Sequence, residues 1–178
     1  ITDTSSGEFS SIIIDSVTVK NVYFRGLEVT NAGSFVFTNS LFENIQGDST
    51  SAAIINHGSS GVISNNNFSN VSGAIVSNYS KGTVYSGNNI TLSGIGISVN
   101  KNGAEGAASD TVKNNTIINS SPNGKGILIS APYRSVVIKE NTITNTDNAI
   151  VNSGQSDSVT AFFISNIIDG QNKAGSTG

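Results

Sequence analysis

A short sequence phrase that occurs seven times limits what this chain can fold into more than any other feature. Each copy has an apolar residue, a few polar residues that often include Asn, and then Ile or Phe, as at residues 63–68 and 138–143. The copies end at Phe24, Phe42, Phe68, Ile90, Ile117, Ile143 and Ile168. They are therefore 18 to 27 residues apart, too close for a propeller blade of roughly 40 residues. One turn of a parallel β-helix fits this length.

Between these copies lies a second phrase, a small residue followed by a short β-branched run, as at residues 52–55, 94–99 and 126–129. The whole chain has 22 Ile and 15 Val against only 4 Leu. β-Branched side chains lose rotamer freedom in helices and pack well on pleated sheets. We therefore predict an all-β fold, with two or three short strands in each repeat and alternate apolar side chains facing inward.

Asn is frequent, with 24 residues, and it recurs between the strands of each repeat. It tolerates the left-handed backbone of tight turns, and its side-chain amide both donates and accepts hydrogen bonds. If turns stack about 4.8 Å apart, equivalent Asn residues at the corners can form a hydrogen-bonded ladder. The predicted fold is a right-handed, single-stranded parallel β-helix of about seven turns, whose hand follows that of parallel crossovers in general.

Charge and composition exclude several classes of protein. Nine Lys and Arg against twelve Asp and Glu give a net charge of −3, without the basic footprint of a nucleic-acid-binding protein. No apolar run approaches the roughly 18–20 residues of a membrane helix. Without Cys the chain has neither disulfides nor a thiolate metal site. We expect no cofactor, and the one metal site left open is a single calcium ion held by loop oxygen atoms.

The length indicates a single domain at residues 1–178, with the β-helix core at about residues 12–170. The longer repeats place loops at residues 46–51, 101–110 and 120–125. Neither end shows a cap in the sequence, and uncapped sheet edges pair with other chains. We therefore expect a segment of a longer chain, or a subunit that associates end to end.

The turn after the second strand of successive repeats gathers cationic and aromatic residues. In a stack of turns these side chains would form one ladder along an edge: His57, Tyr79, Lys81, Lys101, Tyr133 and Arg134. Aromatic rings stack on sugar faces and cations pair with uronates or sulfates, so the ladder predicts a site for acidic polysaccharide. Two other interpretations stay open: solvated corners without a ligand, and a catalytic groove in which His57 or Lys81 is the base.

The repeated phrase Asn-Asn-x-Phe/Ile, followed by Gly-Ala/Ile-x-Val/Ile, resembles the right-handed parallel β-helix repeats of the pectate-lyase-like superfamily over about residues 12–170. That superfamily includes polysaccharide lyases, glycoside hydrolases, phage tailspikes and non-catalytic surface adhesins. Residues 75–82 are similar to the strand and turn around the basic catalytic residue of alginate and chondroitin lyases. In those enzymes Lys follows the Ser-Asn pair directly, whereas here Tyr79 follows Asn78 and Lys81 comes two residues later.

From these features we expect an extracellular or cell-surface module without catalytic activity. It would act as a scaffold or adhesin and bind acidic polysaccharide along one flank. The absence of Cys and Met, the many polar amides and the resemblance support that location. One alternative is a part of a polysaccharide lyase or other carbohydrate-active enzyme. A second alternative is a subunit of a stacked filament.

Overall fold

A computed structural model describes residues 11–80, 82–100, 109–119, 121–130, 135–153 and 160–169. Within these residues the regular structure consists of 18 strands, without a helix. Paired strands run parallel, and each pairs with its equivalent in the next repeat. The predicted all-β parallel β-helix is therefore confirmed.

The strands in chain order are β1 (Ile12–Asp15), β2 (Thr18–Val22), β3 (Arg25–Thr30), β4 (Phe35–Thr38), β5 (Leu41–Ile45), β6 (Ala52–His57), β7 (Gly61–Ser64), β8 (Asn67–Asn78), β9 (Val84–Ser86), β10 (Asn89–Asn100), β11 (Asp110–Lys113), β12 (Thr116–Ile118), β13 (Lys125–Ser130), β14 (Ser135–Lys139), β15 (Thr142–Thr144), β16 (Asn148–Asn152), β17 (Thr160–Ile164) and β18 (Ile167–Asp169). They stack into three faces. Face 1 is the seven-stranded sheet β1-β4-β7-β9-β11-β14-β17. Face 2 contains β2, β5, the first halves of β8 and β10, β12, β15 and β18. Face 3 contains β3, β6, the second halves of β8 and β10, β13 and β16.

The interior is built from rows of identical or similar apolar side chains, one from each turn. On face 2 the residues that end six of the seven repeated phrases pair with one another, as Phe68 does with Phe42 and with Ile90. The end predicted for the first phrase is wrong, because Val19 rather than Phe24 pairs with Phe42. The rings of Phe42 and Phe68 stack with their centroids 5.0 Å apart. On face 3, Ile75 and Ile97 pair in the same way and are fully buried. Each such side chain contributes about 1.5–3 kcal/mol through burial.

The corner between faces 1 and 2 carries the Asn ladder that the sequence predicts, and the ladder is confirmed. A residue in the left-handed conformation, such as Asn65 (φ 56°) or Asn114 (φ 54°), turns the chain. The next side chain then enters the interior. The ladder members are Asn66, Asn88, Asn115, Asn141 and Asn166. Each side-chain N–H donates to the Oδ1 atom of the next member over 2.9–3.1 Å.

Asn88 shows how completely a ladder amide is hydrogen bonded. Its Nδ2 donates to the carbonyl oxygen of Ile63 at 3.0 Å and to Oδ1 of Asn115 at 2.9 Å. Its Oδ1 accepts from the backbone N–H and from Nδ2 of Asn66, both at 3.1 Å. Burying a polar group is costly unless it is paired. The ladder therefore allows a polar corner inside an apolar core, and it fixes each turn against the next.

The corner between faces 2 and 3 has a second, more exposed row of left-handed residues. Asn21, Asn44, Asn70 and Leu92 have φ values of 57°, 56°, 54° and 51°. Nδ2 of Asn44 donates to Oδ1 of Asn21 at 3.1 Å, and Nδ2 of Asn70 donates to Oδ1 of Asn44 at 2.7 Å. Leu92 takes the same backbone conformation without an amide to offer. Bulky residues rarely adopt it, so Leu92 is a strained member of this row.

The interior beside the corner between faces 3 and 1 contains a buried polar cluster. The Asp110 carboxylate accepts hydrogen bonds from the Ser80 hydroxyl, from the Thr83 amide at 2.7 Å and from the Tyr85 hydroxyl at 3.2 Å. All four residues are fully buried. Nδ2 of Asn56 extends the cluster to the preceding turn, because it lies 3.3 Å from the Thr83 hydroxyl. At this corner a carboxylate accepts the hydrogen bonds that side-chain amides accept at the other two corners.

The buried phenol makes the fold sensitive to alkali. Burial, followed by the charge of Asp110, raises the pKa of Tyr85 above its ordinary value of 10. The folded chain keeps this proton at a pH where the unfolded chain releases it. The stability that the neutral phenol provides is therefore present below pH 10 and is lost above it, by up to about 1.4 kcal/mol for each pH unit.

We expect the free energy of unfolding of Tyr85→Phe to fall less steeply than that of the wild type between about pH 10 and pH 11. Urea titrations across this range measure the slope. Tyr23→Phe is the matched control, because Tyr23 is 74% exposed. An equal change of slope in both variants would contradict the assignment to Tyr85.

Candidate functional site

The outer surface of face 3 forms a groove with a volume of about 320 Å³. Alternate side chains of a strand point outward, so stacked strands present rows of equivalent residues. A mainly apolar row contains Ile55, Val76, Ser98 and Leu128, and a polar row contains His57, Asn78 and Asn100. The pair of rows repeats from turn to turn, about 4.8 Å apart. An extended polymer along the solenoid axis would thus meet similar contacts at each step.

One wall of the groove comes from the loop between β5 and β6, at residues 46–51, where the sequence predicts a loop. Gly47 is required there, because a Cβ atom would lie 2.1 Å from the carbonyl oxygen of Tyr23. Oδ1 of Asp48 then accepts hydrogen bonds from the hydroxyl and the backbone N–H of Thr50 at 2.7 and 2.8 Å. These bonds hold the pKa of Asp48 below its ordinary range. The resulting turn presents the hydroxyls of Ser49 and Thr50 to the groove.

Polar side chains contact one another in sequence across face 3. Nδ2 of Asn100 donates to Oδ1 of Asn78 at 2.9 Å, and Nδ2 of Asn78 lies 3.5 Å from Nδ1 of His57. Nε2 of His57 lies 3.8 Å from Oε1 of Glu28, whose Oε2 atom accepts from Nη1 of Arg25 at 2.6 Å. These contacts connect side chains from four successive turns. Such preorganised amides and charges are suited to binding a hydroxylated ligand.

Arg25 lines the groove and contacts two neighbouring side chains. Its guanidinium lies 4.5 Å from the ring centroid of Phe24 and pairs with Glu28 through Nη1. Among the described residues, its buried Nε atom has no hydrogen-bond partner. The ion pair also neutralises Arg25 and Glu28 against each other, so these two residues together add no net charge to the groove.

His57 lies between two other polar side chains of face 3. Its Nδ1 atom faces Asn78 and its Nε2 atom faces Glu28, so both ring nitrogens lie toward neighbours in the polar row. The distances of 3.5 and 3.8 Å to these neighbours are longer than an ordinary hydrogen bond, so a catalytic role for His57 stays a prediction.

Two of the predicted ligand-binding residues lie among the described residues, and both belong to this region. His57 lines the groove, and Tyr79 directly follows Asn78 at the next turn, which pairs in register with His57. Lys81, Lys101, Tyr133 and Arg134 lie outside the described residues, so their place in the ladder stays a prediction. The sequence search missed Arg25, Asn78 and Asn100, because it looked for cationic and aromatic residues in turns. The spacing of the second phrase could have placed the Asn residues on one row.

No group of three or more His, Cys, Asp or Glu residues that could hold a metal ion occurs in the described part of the chain. A single calcium site therefore remains a prediction. Over the same residues, no helix has the length and apolar character needed to span a membrane.

Comparison with known proteins gives one match. A family model described as a right handed beta helix region matches residues 2–175. No curated protein and no solved structure matches the chain.

Proposed function

Because this chain belongs to the right handed beta helix family, we propose that it is a non-catalytic module of an extracellular or cell-surface protein, and that its face 3 groove binds an extended polysaccharide. The observation that carries the proposal is the pair of rows on face 3. Sugars present hydroxyls at their edges and C–H groups on their faces. Amide and hydroxyl groups beside Ile55, Val76 and Leu128 match both kinds of surface.

The periodic geometry also favours a polymer over a small molecule. Asn78 and Asn100 occupy the same register position in successive turns, and their side chains are hydrogen bonded to each other. A ligand that repeats along the axis gains the same contact at each turn. Several weak contacts then add to a useful affinity.

We expect Asn100→Ala to weaken binding of soluble polysaccharide roughly three- to tenfold, since one or two hydrogen bonds to the ligand and the brace on Asn78 are lost. Titration calorimetry with xylan, alginate, polygalacturonate and chondroitin sulfate measures the change. Asn67→Ala on face 2 is the matched control, because Asn67 is exposed and lies away from the groove. Equal affinities of Asn100→Ala and the wild type would show that face 3 is not the binding site.

We further propose that the bound polysaccharide is acidic. This part of the proposal depends on the cations of the predicted ladder, Lys81, Lys101 and Arg134. If these cations take part, alginate binding weakens as salt is raised whereas xylan binding does not. The alternative is that the chain is a part of a polysaccharide lyase. Unsaturated products that absorb in the ultraviolet would then form when polysaccharide is supplied.

A stacked filament is a second candidate function, favoured by the last described turn. Phe163 and Ile168 pair with the inward residues Ile138 and Ile143, yet they are 49% and 50% exposed in the described structure. A further layer of strands would bury them, and either a following turn of the same chain or a second copy of the chain can supply that layer. Sedimentation at increasing concentration distinguishes assembly from a monomer.

A further inference from the structure

The outer surface of face 1 carries a continuous row of mainly apolar side chains, one from each strand. The row consists of Ile13, Val36, Val62, Val84, Thr111, Val137 and Phe162. Ile13 and Phe162 are 71% and 51% exposed, and the residues between them are partly exposed. Single exposed apolar residues are common on soluble proteins, whereas a contiguous apolar row indicates a surface for another molecule.

The strand preference of Val and Ile does not by itself account for this row. Face 2 is built from strands of similar length, and one of its outward rows is polar over three successive turns, at Asn67, Asn89 and Thr116. Sheet formation therefore does not require apolar residues on the outside of this solenoid. The apolar row is a particular property of face 1.

A second outward row on face 1 has opposite charges toward its two ends. It consists of Asp15, Thr38, Ser64, Ser86, Lys113, Lys139 and Ile164. The Asp15 carboxylate, in the first turn, accepts hydrogen bonds from the Thr38 hydroxyl and from Nδ2 of Asn39, both at 2.7 Å. The two lysines lie in the fifth and sixth turns.

The two lysines of this row need a carboxylate that the described structure does not bring to them. Lys113 and Lys139 pair directly on neighbouring strands, and like charges at opposite positions destabilise a sheet. Among the described residues, the ion pairs to carboxylates involve Lys20, Arg25 and His57 instead. An acidic group on a molecule that covers the apolar row would offset the repulsion.

From these two rows we infer that face 1 is the interface of a homodimer, in which face 1 of a second copy packs against it with the two solenoid axes antiparallel. A two-fold axis along the strand direction, between the third and fourth turns, brings the first turn of one copy opposite the sixth turn of the other. Asp15 then faces Lys139, and Val62 faces Val84 at the centre. Each contact occurs twice, because a two-fold interface is self-complementary.

The charges select this arrangement. If the two solenoid axes were parallel, the two-fold axis would turn the charged row away from its own copy. Asp15 would then lie opposite neither lysine. The antiparallel arrangement also places the apolar row against itself, so the contact is apolar along its length and charged at its two ends.

The size of the surface fits a reversible dimer. Six facing turns of about 4.8 Å, with about five residues of 3.3 Å along each strand, bury roughly 1,000 Å² from the two copies together. Interfaces of about this size are near the lower limit for specific association. The two rows contain none of the residues that line the groove, so the dimer leaves face 3 open and adds to the proposed function. It is also side by side, unlike an end-to-end filament.

Sedimentation equilibrium of the 178-residue chain tests the inference. We expect the wild type to form a dimer with a Kd on the order of 1–100 µM. Val62→Lys places charge at the centre of the apolar contact and is expected to raise Kd roughly tenfold or more. Ser69→Lys is the matched control, because Ser69 lies on the outer surface of face 2, and it should leave Kd within about twofold of the wild type.

A charge exchange tests the predicted pairing of Asp15 with Lys139. Asp15→Lys and Lys139→Asp each place like charges opposite one another, so each should raise Kd roughly tenfold. The double variant again has opposite charges at both contacts and should return to within about threefold of the wild type. Circular dichroism shows that each variant is folded, and recovery in the double variant cannot come from a loss of folding.

Three outcomes would overturn the inference. The first is a wild type that stays monomeric up to about 1 mM, whatever other molecule then binds face 1. The second is a series of species larger than a dimer that Val62→Lys leaves unchanged, since the copies would then associate through their ends. The third is a double variant that associates as weakly as the single variants, because Asp15 and Lys139 would then not face each other.

Discussion

Asn88→Ala is expected to lower the free energy of unfolding by about 3–5 kcal/mol, one of the two largest single effects in the chain. The substitution removes four side-chain hydrogen bonds at once. Three partners are left unpaired at these positions: the carbonyl oxygen of Ile63 and two N–H groups of Asn66, which is only 1% exposed. The fourth partner, Oδ1 of Asn115, still accepts from the backbone N–H of residue 88. Water cannot reach these groups, so each keeps its full desolvation cost.

Urea unfolding followed by circular dichroism measures the effect, and the chain provides an adjacent control. Asn89 is exposed at the start of β10, so Asn89→Ala should change the free energy of unfolding by less than about 0.5 kcal/mol. Equal losses for the two neighbours would mean that the ladder adds nothing beyond the general preference for Asn at this corner.

Asp110→Ala is expected to cost a similar amount, about 3–5 kcal/mol. The substitution leaves the Thr83 N–H and the hydroxyls of Ser80 and Tyr85 without their acceptor inside the solenoid. It also opens a cavity beside the corner between faces 3 and 1, because the carboxylate is fully buried. Asp169→Ala is the control, since Asp169 is exposed.

A double-mutant cycle with Tyr85→Phe separates the cluster from its individual bonds. If the two residues act through one network, the double variant loses less than the sum of the single losses. Strict additivity would show that Asp110 and Tyr85 stabilise the fold independently.

The repeated phrase was sufficient to predict most of the fold. Side chains alternate along a strand, so the residues that end the second to seventh copies, such as Phe68 or Ile117, had to face inward once the register was set. The Asn ladder followed from chemistry that every turn repeats. Both predictions depend on short-range patterns, which is why one sequence sufficed.

The buried cluster around Asp110 could not be predicted in this way. The sequence places Asp110 at the end of a Gly- and Ala-rich loop, where a carboxylate is normally solvated. In the structure it begins β11 and is buried, because its partners Ser80, Thr83 and Tyr85 come from the preceding turn. No local sequence pattern predicts a contact between residues that are 25 to 30 positions apart.

The candidate site was predicted in part for a related reason. His57 and Tyr79 stood out as residues of unusual type in turns, so the search found them. Asn78 and Asn100 did not stand out among 24 Asn residues. Their importance comes from register alone, since equivalent positions of β8 and β10 bring their amides within 2.9 Å.

The ladder at the corner between faces 1 and 2 also has a polarity. From Ser40 to Asn141, every backbone N–H of the row donates to Oδ1 of the ladder residue in the following turn. The side-chain amide dipoles therefore point the same way and add along the axis, as peptide dipoles do in a helix. The two ends of the solenoid are electrostatically unlike, with amide hydrogens directed toward one end and carbonyl oxygens toward the other. Any layer that continues this row must be oriented head to tail, and a head-to-head contact would set like partial charges against each other.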